Sequence, residues 1–307
     1  MKALSGIAGF ICLLSFGSIA SPMAGPKACD LWDMQVTKVR AVGSDSWLEL
    51  TPEVSALSCI GAFTGNNSSF YDPVKNHPDY YNLGFKNDGW MNYYGNQSPY
   101  WDTDGAFITS NDMLQDLQGL GPIDPGWVQM GKDDGQGFMP DSSRKGDKSY
   151  TYEQTVFSMS DCKDKNGLAE TCVGGDAVSG NWLFSPPAVS PEELFDILGG
   201  TFFDQMAVVF KSSTAFAIYT FSITQFADIG LGPILPGEQK FEFAGTWDMS
   251  DTLINKGGQA AGLSNYTLYG RDPTGSFVVP APATIGLIGV SLLLMRLFRR
   301  KNLHLSN

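Results

Sequence analysis

The chain has 307 residues, with 32 acidic against 20 basic side chains and a formal charge of −12. Five of the basic residues (Lys2, Arg296, Arg299, Arg300 and Lys301) lie at the two ends, so the body carries 15 basic and 32 acidic groups, a formal −17. Such a surface repels nucleic acid and anionic lipid and attracts cations, which excludes a nucleic-acid role.

In chain order, Met1-Lys2 supplies a positive charge, Ala3–Ile19 is a nearly uncharged apolar run, and Ser18-Ile19-Ala20 is a small-x-small site before Ser21-Pro22. This pattern predicts a secretory signal peptide over residues 1–20, cleaved after Ala20 or, as a second choice, after Ala24. Of the five cysteines, Cys12 leaves with it, and Cys29, Cys59, Cys162 and Cys172 remain, an even number in an exported chain. Four cysteines allow three pairings. Cys29–Cys59 and Cys162–Cys172 are favoured because both close short loops. Zinc is disfavoured, since no CxxC occurs and His77 is the body's sole histidine.

Short β-favouring runs then recur between turn signals. Met34–Val42 alternates apolar and polar residues, and Ser58–Phe63 precedes the turn "TGNNSS". Residues 72–149 read as polar, Gly/Asn-rich ordered loops with embedded aromatics, holding a short helix at Ser110–Gly121. Thr151–Met159 and Asn181–Ser185 are further strands. In "SPEELFDILGG", Ser190 is the N-cap, Pro191 the first helical residue, Glu192 and Glu193 complement the dipole, and Gly199-Gly200 stops the helix. Leu194, Ile197 and Leu198 are its packing residues. Gln205–Lys211 and Thr214–Ile223, separated by two serines, predict an antiparallel hairpin, and "QKFEFAGTWDM" and "SNYTLYGR" follow. The fold expected is mainly β, an antiparallel sandwich or jelly-roll-like body over residues 21–277 with one or two short helices.

The C-terminal segment, residues 278–307, differs in kind. Pro280 and Pro282 hold an extended stretch, Ala283–Met295 is uncharged, and Arg299-Arg300-Lys301 follows. The apolar run is short for a bilayer core about 30 Å thick, and its basic end matches a cytoplasmic stop. Residues Val279-Pro280-Ala281-Pro282-Ala283-Thr284, the short transmembrane helix after them and the basic end resemble the PEP-CTERM sorting signal of Gram-negative bacteria, with Ala281 where the name-giving Glu sits. The resemblance implies transient anchoring in the inner membrane, recognition by an exosortase, removal of the tail, and delivery to the cell surface or the extracellular polysaccharide matrix. The segments Ser55–Asn66, Met206–Phe221 and Ala244–Arg271 look like stretches common in PEP-CTERM proteins of unassigned function. There Trp247 and Tyr269 read as packing residues.

Motifs for chemistry are sparse. The chain contains no GxSxG, HExxH, P-loop or dinucleotide fingerprint. His77 sits in a turn, and Glu153 and Glu242 are strand-borne carboxylates with no distinguishing spacing; a hydrolase without a recognisable motif is the third reading. No catalytic residue is assigned. Asp102, Asp104, Asp133 and Asp134 sit beside turn glycines and are candidate ligands for a structural Ca²⁺, against the simpler reading of Asp/Gly turns. Trp90, Tyr93, Tyr94, Tyr100 and Trp101 cluster among amides and carboxylates. They are candidates for stacking on sugars if exposed and for a loop core if buried. The leading expectation is an exported non-catalytic surface or matrix protein, with a carbohydrate-binding module as the alternative.

Overall fold

The computed structural model describes residues 28–65, 77–92, 114–115, 126–187, 191–198, 203–226 and 240–273. The signal peptide, the sorting tail, Tyr93, Tyr94, Tyr100, Trp101, Asp102, Asp104 and most of Ser110–Gly121 lie outside the described residues.

In chain order the strands are β1 (Met34–Ala41), β2 (Leu48–Ser55), β3 (Ser58–Thr64), β4 (Tyr80–Tyr81), β5 (Val128–Asp133), β6 (Met139–Pro140) and β7 (Ser142–Lys145). They continue with β8 (Lys148–Thr151), β9 (Phe157–Lys163), β10 (Ser179–Phe184), β11 (Phe203–Ser212), β12 (Ala215–Ser222), β13 (Phe241–Asp248) and β14 (Leu263–Pro273). One helix, α1, spans Pro191–Leu198 among the described residues. The protein is thus mainly β, as expected, and every strand pairing is antiparallel. A five-stranded sheet runs β2-β1-β13-β10-β9, a six-stranded sheet β3-β12-β11-β14-β5-β6, and a small sheet β4-β7-β8.

The core follows from alternation. Met34, Val36 and Val39 of β1, Trp182 of β10 and Trp247 of β13 point from the five-stranded sheet into one buried cluster. Val208 and Phe210 of β11, Tyr219 of β12, and Tyr266 and Leu268 of β14 enter the same cluster from the six-stranded sheet. Rings meet between the sheets: Phe210 stacks on Trp247 at 5.4 Å, and Phe157 and Tyr266 lie 5.1 Å apart. Gly245 makes room for the indole of Trp182. A Cβ there would lie 2.9 Å from that ring and 1.7 Å from the Gln35 carbonyl oxygen. The Trp182 Nε1–H instead donates to the carbonyls of Gln35 (3.1 Å) and Thr246 (3.2 Å), so no polar atom is stranded by burying the ring.

The six-stranded sheet is buried on its other face as well. Ala207, Val209, Phe216, Ile218 and Tyr269 form a second cluster there, beneath Trp90, Met91, Leu114 and Trp127. Both disulfides take the expected pairing. Cys29–Cys59 has a Cα separation of 6.0 Å and ties the chain before β1 to β3, and Cys162–Cys172 has a Cα separation of 5.1 Å and closes the loop after β9. The hairpin of β11 and β12 is present, and α1 forms over "PEELFDIL" with Ile197 and Leu198 buried. The side chain of Leu194 lies outside the described residues.

Two expectations need correction. Thr151–Met159 is two strand ends around a turn. Tyr152 is buried and its N–H donates to the Asp141 carbonyl (3.0 Å), while Val156 N–H closes a turn on Glu153 (3.3 Å), so Glu153 is on no strand. The stretch 72–149 contains β4 to β7 and the start of β8, and in β5 Val128 and Met130 complete the inner face of the six-stranded sheet. Beyond the expected strands, β2 forms an edge strand over "LELTPEVS". Its Pro52 removes a ladder donor, which an edge position tolerates. No helix among the described residues is long and apolar enough to cross a membrane.

Candidate functional site

Of the expected site residues, Trp90 is buried at 9% exposure. Its indole N–H donates to the Tyr269 hydroxyl (3.0 Å), and its ring meets Phe216 and Tyr269 edge-on. Of the two readings given for it, Trp90 is therefore a loop-core residue and not a stacking platform. The surrounding loop is nailed to the sheet by amides: Asn92 is fully buried, accepts from Trp127 N–H (2.6 Å), and donates to the carbonyls of Trp127 and Asp88 (2.6 Å each). Asn82 likewise takes Gln129 N–H (2.7 Å) and donates to the Gln129 and Ser142 carbonyls. Trp247 and Tyr269 are buried packing residues, as read.

The remaining candidates have local duties. Asp133 accepts from Gly135 N–H (2.8 Å) and Gly137 N–H (3.2 Å), bending the chain between β5 and β6, and Asp134 is exposed. No three His, Cys, Asp or Glu side chains gather to hold a metal among the described residues. His77 accepts from Asp79 N–H (3.2 Å) and packs on Tyr80. Glu153 accepts from the Tyr150 hydroxyl (2.6 Å), and Glu242 pairs with Arg40 and accepts from Ser185 (2.9 Å).

A site that the sequence reading missed lies on the outward face of the five-stranded sheet. Gln35 of β1 is opposite Thr246 of β13, Thr246 opposite Asn181 of β10, and Asn181 opposite Ser160 of β9. Each is an outward neighbour of inward-facing residues, so the four form a polar row across four strands, about 14 Å at the usual strand spacing. A groove of about 320 Å³ runs over Gln35, Thr246 and Asn181 of this row and is also lined by Trp32, Asp161, Lys163 and Asp248. Trp32 is 54% exposed at its rim. The ring is mounted on a 3-10 turn, Leu31–Asp33, closed by a capping box between Asp30 and Asp33, and Gln35 donates to the Trp32 carbonyl (2.9 Å).

Asp161 is placed by a β-bulge. The β9–β10 register slips between Ser179 and Asn181, and Asp161 takes a left-handed φ of 50°. The extra residue turns its carboxylate toward Asn181, whose side-chain amide donates to it at 2.9 Å. The next residue, Cys162, is bonded to Cys172, so the bulge is clamped covalently. Beyond it the loop is held by Asp164, whose carboxylate accepts from Leu168 N–H (2.8 Å) and Asn166 N–H (2.9 Å); the Leu168 bond leads in holding its pKa below the usual range. On the opposite, inward face of the sheet the Trp247 ring stacks on Phe210, and its Nε1–H is buried and meets no acceptor among the described residues. The arrangement offers an exposed ring, two amides, hydroxyls and two carboxylates on one rigid surface. Its one signal in the sequence is short: Trp32 in "CDLWDMQ", just before an alternating strand. No protein-family model, no curated protein and no solved structure matches this chain.

Proposed function

We propose that the chain is an exported, non-catalytic protein of the cell surface or extracellular polysaccharide matrix, delivered by a PEP-CTERM-like sorting signal. The observation that carries this reading is the C-terminal sequence: Pro280 and Pro282, the short apolar run after them, and Arg299-Arg300-Lys301. Two disulfides support an oxidising destination. On this reading the body is a β-sandwich, its two large sheets facing each other across the shared core and its inner rings in contact. An exosortase is the processing partner, and the inner membrane holds the chain before the tail is removed. The non-catalytic assignment is supported by His77, Glu153 and Glu242, which are each engaged by neighbouring groups in separate places.

The test is an intact-mass and C-terminal peptide measurement on protein from its native host. The expected chain lacks Cys12 and ends near Pro280–Pro282. A chain that retains Ile285–Asn307 overturns the sorting assignment and makes the tail a permanent anchor.

A further inference from the structure

We infer that the groove on the outward face of the five-stranded sheet binds a neutral polysaccharide chain, with a sugar ring stacked on Trp32. The inference rests on the exported reading for its biological setting and on the groove alone for its chemistry. Trp32 is more than half exposed, yet its backbone is fixed by the Asp30–Asp33 capping box and by Gln35. A large apolar ring carried in water on a fixed backbone is the surface that the axial C–H face of a pyranose covers, and little backbone order is lost when it does so.

The polar row supplies the rest. Asn181 uses one N–H on Asp161, and both side chains line the groove, where they bring further amide and carboxylate oxygens. Neighbouring acceptors and donors of this kind match vicinal hydroxyls. Gln35 and Thr246 extend the set along the row toward Trp32. The bulge at Asp161 is an independent sign of a built site. A left-handed aspartate clamped by a disulfide aims one carboxylate at the groove, where a regular strand would leave it in register.

Charge selects the class of polymer. Asp161 and Asp248 face one lysine, Lys163, and the whole body is strongly acidic. An anionic polymer is therefore repelled locally and at long range, whereas an uncharged one pays no such penalty. A peptide strand is disfavoured because β1, β13 and β10 are each flanked on both sides by other strands, so their backbone groups are not offered to a partner.

The experiment is calorimetric titration of the full chain with hexasaccharides of β-linked glucose, xylose and mannose, and with hexagalacturonate as the anionic probe. At least one neutral hexasaccharide is expected to bind and hexagalacturonate to fail. Trp32→Ala should weaken the neutral ligand by about tenfold or more, Trp32→Phe by less, and Asn181→Ala by several-fold, with melting temperatures unchanged. Failure of all three neutral probes, preference for the anionic one, or wild-type binding by both Trp32→Ala and Asn181→Ala overturns the inference. Terminal processing is read by mass and this binding by heat, so either idea can fail without the other.

Discussion

The two large sheets treat their outer faces in opposite ways. The outer face of the six-stranded sheet is apolar and roofed: Val209, Phe216 and Ile218 are fully buried beneath Trp90, Met91 and Trp127. The outer face of the five-stranded sheet is polar and open, with Asn181 and Thr246 exposed at its centre. The difference is written in strand composition. In β12 all of Ala215–Tyr219 is buried, a continuous run of the kind a sheet covered on both sides requires. In β1, "MQVTKVRA" alternates, so one face must meet water. A sheet can spare one face from packing only if the other supplies enough core, and here Trp182 and Trp247 do so. The open face is thereby released for recognition.

The strongest test of this contrast exchanges like for like between the faces. Trp90→Ala removes a buried ring and its bond to Tyr269. It should destabilise by about 3–5 kcal/mol. Trp32→Ala removes an exposed ring and should change stability by less than about 0.5 kcal/mol. Denaturant melts of the two variants check both figures. Equal losses would mean that Trp32 is a structural residue and that the open face is not spare.

The next effect concerns the clamp beside the groove. Breaking Cys162–Cys172 in a Cys162→Ser/Cys172→Ser variant releases a loop whose ends are 10 residues apart. The loss from chain entropy is about 3 kcal/mol. Because Asp161 adjoins the clamp, saccharide binding should fall as well, whereas near-ultraviolet signals from Trp90 and Trp127 in the roofed face should persist. Loss of those signals would show that the two faces are not independently built.

A smaller, pH-dependent effect arises inside. Burial raises the pKa of Tyr152, Tyr219, Tyr266 and Tyr269, assisted at Tyr219 by the neighbouring Asp33 carboxylate, to which its hydroxyl donates at 2.7 Å. The unfolded chain therefore releases these protons first as pH passes about 10. Stability is fully retained below that pH and falls above it, by about 1.4 kcal/mol per pH unit for each tyrosine that stays protonated in the fold. Absorbance at about 295 nm should show these tyrosines ionising together with unfolding and after the exposed ones. Independent ionisation before unfolding would mean that solvent reaches the buried clusters, the inter-sheet core at Tyr152, Tyr219 and Tyr266 and the roofed face at Tyr269.

The legible parts of the molecule were those governed by local periodicity. β1, β3, β10, the β11–β12 hairpin and α1 announced themselves through alternation, apolar runs or capping residues, and both disulfides followed from loop length. The run Thr151–Met159 misled because Tyr152 and Val156 are apolar for a turn packed against the core, and burial there is decided by a distant neighbour, Asp141. Trp90 stayed ambiguous in the sequence because its polar neighbours fit either an exposed or a buried ring, and Asn92 and Asp88 turn their polar atoms to buried backbone groups. The groove was illegible for a related reason. Gln35, Thr246, Asn181 and Ser160 are far apart in the chain, and only register brings them into a row. A bulge, moreover, leaves no composition signal when its residue is an aspartate in place of a glycine.

That aspartate gives the smallest effect and the one most specific to the open face. A non-glycine residue at φ 50° carries strain of about 1 kcal/mol relative to glycine, and the exposed amide bond from Asn181 offsets little of it. Asp161→Gly should therefore leave stability unchanged or raise it by up to about 1 kcal/mol, while binding of a neutral saccharide falls because the groove loses its aimed carboxylate. Asp161→Asn keeps an acceptor oxygen and the left-handed preference, so it should retain much of the affinity. If Asp161→Gly loses stability with no change in binding, the bulge serves the strand and the carboxylate is incidental. A gain in stability paired with a loss in binding is the signature of a residue kept for its ligand, on the face where the fold can tolerate it.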